Sequence, residues 1–276
     1  PEGHTALVSA LHFTGSRVFS GGMDGRIFVW DTSETSLNRA ITGERWDLTE
    51  AERRGAAGRP LRLLEGHEAS VTAIAVDTLK VVSGGADCKV ILWSRSSGAR
   101  LRILHGHARS ILCLEIGPLW IVSGGQESEA RIWHLPDQAD PSKAIGNDKR
   151  TKGAEDALKR SRDIKTRKKL ASGDGFELEA GPGLTCVKYG ALELIGGLAD
   201  GHLVVWWLQD GKILQKVKAH TGSVHDLQFD ATRIVSAGGD GLVAVTDITT
   251  GELMQSLRGH EGPVLALQFD TEKIVS

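Results

Sequence analysis

The chain has 276 residues, 40% of them hydrophobic and 25% charged, with a net charge of −2. That length can bury a large core as one or two domains, and the near-neutral balance argues against a nucleic-acid footprint spread over the whole surface. No apolar run approaches the roughly 18 residues that span a membrane, and three scattered cysteines (Cys88, Cys113, Cys186) speak against a disulfide framework. A reducing, intracellular setting is expected, cytoplasmic or within a nuclear or cytoskeletal assembly.

In chain order, the first signal is a histidine that follows Gly or Ala: His4, His67, His107, His220 and His260. Sixteen residues on stands a serine each time: Ser20, Ser83, Ser123, Ser236 and Ser276. Twenty residues on stand Asp24, Asp87, Glu127 and Asp240, and twenty-six on from the first three stand Trp30, Trp93 and Trp133. Trp206 exposes a degenerate fourth copy, anchored at Ala180 with Gly196 at the serine position, and Thr246 replaces the tryptophan of the fifth. The uninterrupted period is 40 residues, which marks a repeat architecture.

Each copy predicts the same four strands. Apolar residues four, seven and nine after the anchor (Val71, Ile74, Val76; Val224, Leu227, Phe229) define the first. "KVVSGG" or "RIVSAGG" gives the second, "KVILW" or "HLVVW" the third, and "RLRILHG" or "KILQKVKAH" the fourth. β-Branched enrichment with Gly and Asp punctuation favours strands over helices, and the Gly pair with the Asp is assigned to the tight turn between the second and third strands.

On these residues the chain resembles the WD40 repeat family over nearly its whole length. The resemblance implies an all-β WD40 β-propeller: five complete four-stranded blades plus a partial sixth, part of a seven-bladed or larger propeller. Residues 1–276 are then one incomplete propeller domain, continued beyond Ser276, before Pro1, or both. It also implies a hydrogen-bonded tetrad in each blade: His4, Ser20, Asp24, Trp30; His67, Ser83, Asp87, Trp93; and His107, Ser123, Glu127, Trp133. In the fifth copy only His220, Ser236 and Asp240 remain. Ser, His and Asp look like a hydrolytic triad, but a nucleophile would be unique and set in one cleft. No enzymatic activity, catalytic residue, cofactor, metal or small-molecule substrate is expected.

Two departures from the period, at about 34–59 and 135–175, fall between third and fourth strands, on the bottom face if the resemblance holds. The first carries Trp46 ahead of a capping box (Asp47, Glu50) and Gly55, which predicts a two-turn helix. In the second, residues 143–169 hold 11 basic and 4 acidic side chains, among them Lys149, Arg150, Lys159, Arg160, Lys165, Arg167, Lys168 and Lys169. That local +7 suits RNA or an acidic partner, though no aromatic is interleaved for base stacking. Trp120 stands where other copies carry Arg17, Lys80, Glu193, Arg233 and Lys273, so it is expected to be exposed and, with Trp46, a partner anchor. Asp226 and Cys186 share a small-residue slot that is expected to line a central channel or to pack.

The leading expectation is a non-catalytic scaffold or adaptor that binds several proteins within a multi-protein assembly. A second is a ubiquitin-ligase substrate receptor of the F-box/WD type, although its top face would carry Thr5, Glu68, Arg109, Thr221 and Glu261, with one arginine only. A third is an RNA-processing or ribosome-associated factor that uses residues 143–169.

Overall fold

The computed structural model describes residues 3–32, 60–117, 120–127, 129–135, 176–179, 181, 183–190, 193–208, 211–270 and 273–276. Strands and no helix occur among them, and two compact units are present, Pro1–Ile111 and Leu112–Ser276. In the first, β1 (Val8–Thr14), β2 (Arg17–Gly22), β3 (Arg26–Asp31) and β4 (Arg62–Glu65) form one antiparallel sheet in chain order. A second follows from β5 (Val71–Val76), β6 (Lys80–Gly85), β7 (Val90–Ser94) and β8 (Arg100–Leu104). Beyond these come three more four-stranded sheets, the first beginning at Ile111 where the first unit ends, and one two-stranded sheet. They are β9 (Ile111–Ile116), β10 (Trp120–Gly125), β11 (Glu129–His134), β12 (Phe176–Glu179); then β13 (Leu184–Tyr189), β14 (Glu193–Leu198), β15 (His202–Trp207), β16 (Ile213–Lys218). Next come β17 (Val224–Phe229), β18 (Arg233–Gly238), β19 (Val243–Asp247) and β20 (Leu253–Leu257), with the pair β21 (Gln268–Phe269) and β22 (Ile274–Val275) after them.

Sheets stack through the apolar residues that the repeat supplies. In the first unit Val71, Ile74 and Val76 of β5 are buried with Phe19, Ile27 and Val29 of the preceding sheet and with Trp93 of their own. In the second, Val224, Leu227 and Ile234 pack on Cys186, Ile195 and Val205. Burial of each such side chain is worth about 1.5–3 kcal/mol, so the stack is the main source of stability. The equivalent face of β1, with Leu11 and Phe13, is exposed.

A polar device joins consecutive sheets as well. The registers of β1, β5, β13 and β17 all slip one residue, at Val8/Ala10, Val71/Ala73, Leu184/Cys186 and Val224/Asp226. The extra residue of such a bulge points its side chain off the ladder. In three cases it is a hydroxyl residue that donates to the first-strand backbone of the following sheet. Ser9 Oγ donates to the Val71 carbonyl at 2.5 Å, Thr72 Oγ1 to that of Ile111 at 2.6 Å, and Thr185 Oγ1 to that of Val224 at 2.5 Å.

Candidate functional site

The repeated polar residues converge inside each sheet. In the second copy Trp93 Nε1–H donates to Ser83 Oγ at 2.8 Å, and His67 Nε2 lies 2.8 Å from the same hydroxyl. His67 Nδ1 is 3.0 Å from both carboxylate oxygens of Asp87, which also accepts the backbone N–H groups of Glu68 and Lys89 at 3.0 and 3.2 Å. Burial pushes the Asp87 carboxyl up, but the Glu68 N–H bond and His67 outweigh it, so the net shift is downward and the group stays ionised. Burial lowers His67 more than Asp87 raises it, which keeps the imidazole neutral. The carboxylate can only accept, so Nδ1 carries the proton, Nε2 accepts from the serine, and the serine oxygen accepts from the indole. Every donor thus has one acceptor, and the row ends on a charge that backbone amides hold.

The first and fifth copies repeat this geometry. His4 Nε2 lies 2.8 Å from Ser20 Oγ, His4 Nδ1 lies 3.0 Å from Asp24, and Trp30 Nε1–H donates to Ser20 at 2.7 Å. His220 lies 2.8 Å from Ser236 and 3.0 Å from Asp240, while Thr246, in place of the tryptophan, is fully buried. Asp24 and Asp240 are likewise held below the usual carboxylate range. Burial opposes this, and hydrogen bonds from the Thr5 and Thr221 backbone and from His4 and His220 prevail. In the third copy His107 is buried in the first unit; within the second unit Trp133 Nε1–H donates to Ser123 at 2.8 Å, with Glu127 half-buried.

The fourth copy, without His and Ser, solves the same problem differently. Trp206 is fully buried and its Nε1–H donates to the Glu179 carbonyl at 3.1 Å. A β-carbon on Gly196, at the serine position, would lie 2.5 Å from Leu184 Cδ1 and 2.7 Å from Trp206 Cζ3. The indole fills the volume that the serine occupies elsewhere.

Several expectations need correction. The Gly pair does not form the turn. A β-carbon on its first member would meet the next sheet (Gly21 to Val71 Cγ1, 2.5 Å), and one on its second would meet the His–Asp contact (Gly85 to Asp87 Oδ1, 2.5 Å). The turn's positive φ falls one residue after the Asp, at Gly25 (74°), Gly201 and Gly241, where glycine is strain-free. Cys88 takes that place in the second copy at φ 63°. Trp120 is half-buried and packs on the cluster of Val122, Ile132 and Leu178. Of the charged residues at its position, Arg17, Lys80, Glu193 and Arg233 are half-buried too, and only Lys273 is exposed; the Arg233 guanidinium lies 5.4 Å over the Phe269 ring. A long cationic side chain covers apolar surface there, so its charge did not signal exposure.

Asp226 is spent on structure, accepting the Leu227 N–H and, from the sixth copy, the Leu267 N–H, both at 2.9 Å. Cys113 and Cys186 are buried free thiols. Burial pushes the first far up and the second to about 12, so both stay protonated packing groups. Arg109 is exposed. Trp46 and the lysines and arginines of 143–169 lie outside the described residues. No group of three metal-ligating side chains occurs among the described residues. The inter-sheet hydroxyls were missed, although the signal was present in Ser9, Thr72 and Thr185, each five residues after an anchor.

Antiparallel four-stranded sheets with a Trp–Ser–His–Asp row define the blades of a WD40-type β-propeller protein. The family "WD domain, G-beta repeat" matches residues 1–31, 58–94 and 211–247, three segments of the chain that carry WD40 repeats. "Ribosome biogenesis protein YTM1" of Vanderwaltozyma polyspora is 33% identical over 95 residues, 34% of this chain and 20% of that protein. The Candida albicans protein of the same name is 34% identical over 95 residues, 33% of this chain and 18% of its own length. The matched segment therefore spans about a fifth of these relatives. Among solved structures, the computationally designed Ika8 protein superposes with a TM-score of 0.71 at 26% identity, over 99% of this chain and 68% of that one.

Proposed function

We propose that the chain is a non-catalytic scaffold that binds other proteins within a multi-protein assembly inside the cell. The observation that carries this reading is the closure of each Trp–Ser–His–Asp row within its own blade. Ser83 bonds to His67 as a triad serine would, but it is fully buried and its oxygen already accepts from the Trp93 indole, so it is not placed to attack a substrate. The free, buried Cys113 and Cys186 support a reducing compartment.

A ribosome-associated role is the second reading, supported by the YTM1 relatives and by the +7 charge of residues 143–169. Sedimentation of cell extract through a sucrose gradient tests both. Comigration with large pre-ribosomal particles that is lost on deleting 143–169 supports the ribosomal reading. Sedimentation at the position of the free chain in every fraction would overturn assembly as such. Purified chain that binds RNA with steep salt dependence, also lost on that deletion, would assign the basic segment to RNA.

A further inference from the structure

The first compact unit contains a cleft of about 720 Å³ at the turn ends of its two sheets, into which Arg17, Arg62 and Arg95 converge over Val29 and Leu61. Ser16, Thr78 and Ser96 complete its rim, and no acidic side chain is among its described lining. Two of the guanidinium groups are held in place by backbone. Arg62 donates to the Arg95 and Ser96 carbonyls at 3.4 and 2.6 Å, with its stem under Gly98; Arg95 donates to the Asp77 carbonyl at 2.7 Å and lies 6.0 Å over the Phe19 ring. Neutral carbonyls position these cations without neutralising them. Arg17 makes no side-chain hydrogen bond or ion pair among the described residues.

The fold does not demand these arginines. The same cleft recurs in the second unit, about 640 Å³, where Glu193 stands at the repeat position of Arg17 and Ile248 at that of Arg95, with Val205 at that of Val29. The residue 28 after the anchor is aliphatic in three copies, Leu135, Leu208 and Ile248. Arg95 is thus a half-buried cation at a position that packing fills with leucine or isoleucine elsewhere. Half-burying three like charges in one cavity costs free energy unless an anion joins them.

We propose that this cleft binds an acidic segment of a partner protein, its Asp or Glu carboxylates forked by Arg17, Arg62 and Arg95 and a neighbouring aliphatic side chain resting on Val29 and Leu61. Guanidinium matches a carboxylate bidentately, and a cavity of this size holds a few side chains. A nucleic-acid strand fits the cleft less well, because the lining offers no aromatic face on which a base could stack. This assignment goes beyond the scaffold reading and is independent of residues 143–169.

The test is fluorescence anisotropy of the full chain with a dye-labelled decapeptide of alternating Glu and Leu, against the same peptide with Gln for Glu. The Glu peptide should bind, weaken with added salt, and lose about tenfold or more in affinity in Arg95→Leu and in Arg17→Gln, since charge-assisted bonds are being removed. Arg95→Leu installs the side chain that other copies carry, and Arg17→Gln alters only a strand start, so unchanged melting temperatures separate lost binding from lost fold. Deleting 143–169 should leave peptide affinity as it was. Equal binding of the Gln peptide, indifference to both substitutions, or loss only on deleting 143–169 overturns the cleft assignment while leaving the scaffold reading intact. A single-stranded oligouridine or inorganic phosphate that displaces the peptide through the same arginines at lower concentration overturns the choice of a carboxylate ligand.

Discussion

The second and fourth copies fill one volume in two ways. In the second, Ser83 stands between Trp93 and His67 and a polar row crosses the sheet; in the fourth, Gly196 leaves the space to Trp206, which turns its N–H to a backbone carbonyl. Both tryptophans are buried, Trp93 to 2% and Trp206 to 0% exposure. Burying the indole and satisfying its one donor is therefore the shared requirement, and the His–Asp row is one solution to it.

The largest effect should come from the part both copies share. Trp93→Ala and Trp206→Ala should each cost about 3–5 kcal/mol in denaturant unfolding, the usual loss for truncating a core Trp. A cost for Trp206→Ala below half that of Trp93→Ala would show that the polar row, and not ring burial, dominates. Gly196→Ser, which transplants the serine of the wired copy, should destabilise by about 1–3 kcal/mol, because its β-carbon meets Leu184 and Trp206 with no histidine to receive the hydroxyl. A more stable variant would break the view that the two arrangements exclude one another.

His67→Gln should cost about 1–2 kcal/mol at pH 7 and also change the pH dependence. The folded His67 titrates below its unfolded value of 6.5, so the unfolded chain takes up the proton first and stability falls as pH drops below that value. Asp87, also lowered in the folded state, gives stability above 3.8 that is lost as pH falls further through its folded value. Unfolding midpoints of the native chain should decline between about pH 7 and 5 more steeply than those of the variant. Parallel curves would mean that His67 is not held neutral. Smallest of all, Cys88→Gly should raise stability by about 0.5–1 kcal/mol, relieving a left-handed residue where the first, fourth and fifth copies use glycine. A drop in melting temperature would contradict that strain.

Strand order and blade interior were legible because both follow from spacing. A histidine, a serine 16 later and a tryptophan 26 later can meet only if the strands between them pair antiparallel, as His67, Ser83 and Trp93 do. What a residue touches across to the next sheet was less legible. Gly21 read as a turn residue, yet it is small because Val71 approaches it; Trp120 read as exposed because charged residues at its position were taken as solvated, whereas Arg233 covers Phe269. The Arg95 cleft escaped notice because its residues come from two copies, and each looks ordinary within its own.

The bulge hydroxyls bear on how such a chain is assembled and altered over generations. Ser9, Thr72 and Thr185 each bring the donor themselves, and the acceptor is a main-chain carbonyl that every neighbour possesses whatever its side chain, as Val71, Ile111 and Val224 illustrate. Half of each joint is therefore generic. A copy that is duplicated, transposed or replaced wholesale arrives with its own fastening and asks nothing of the recipient's sequence at that point. Tinkering by recombination is then cheaper at these seams than inside a blade, where a serine, a histidine and an indole must all change together.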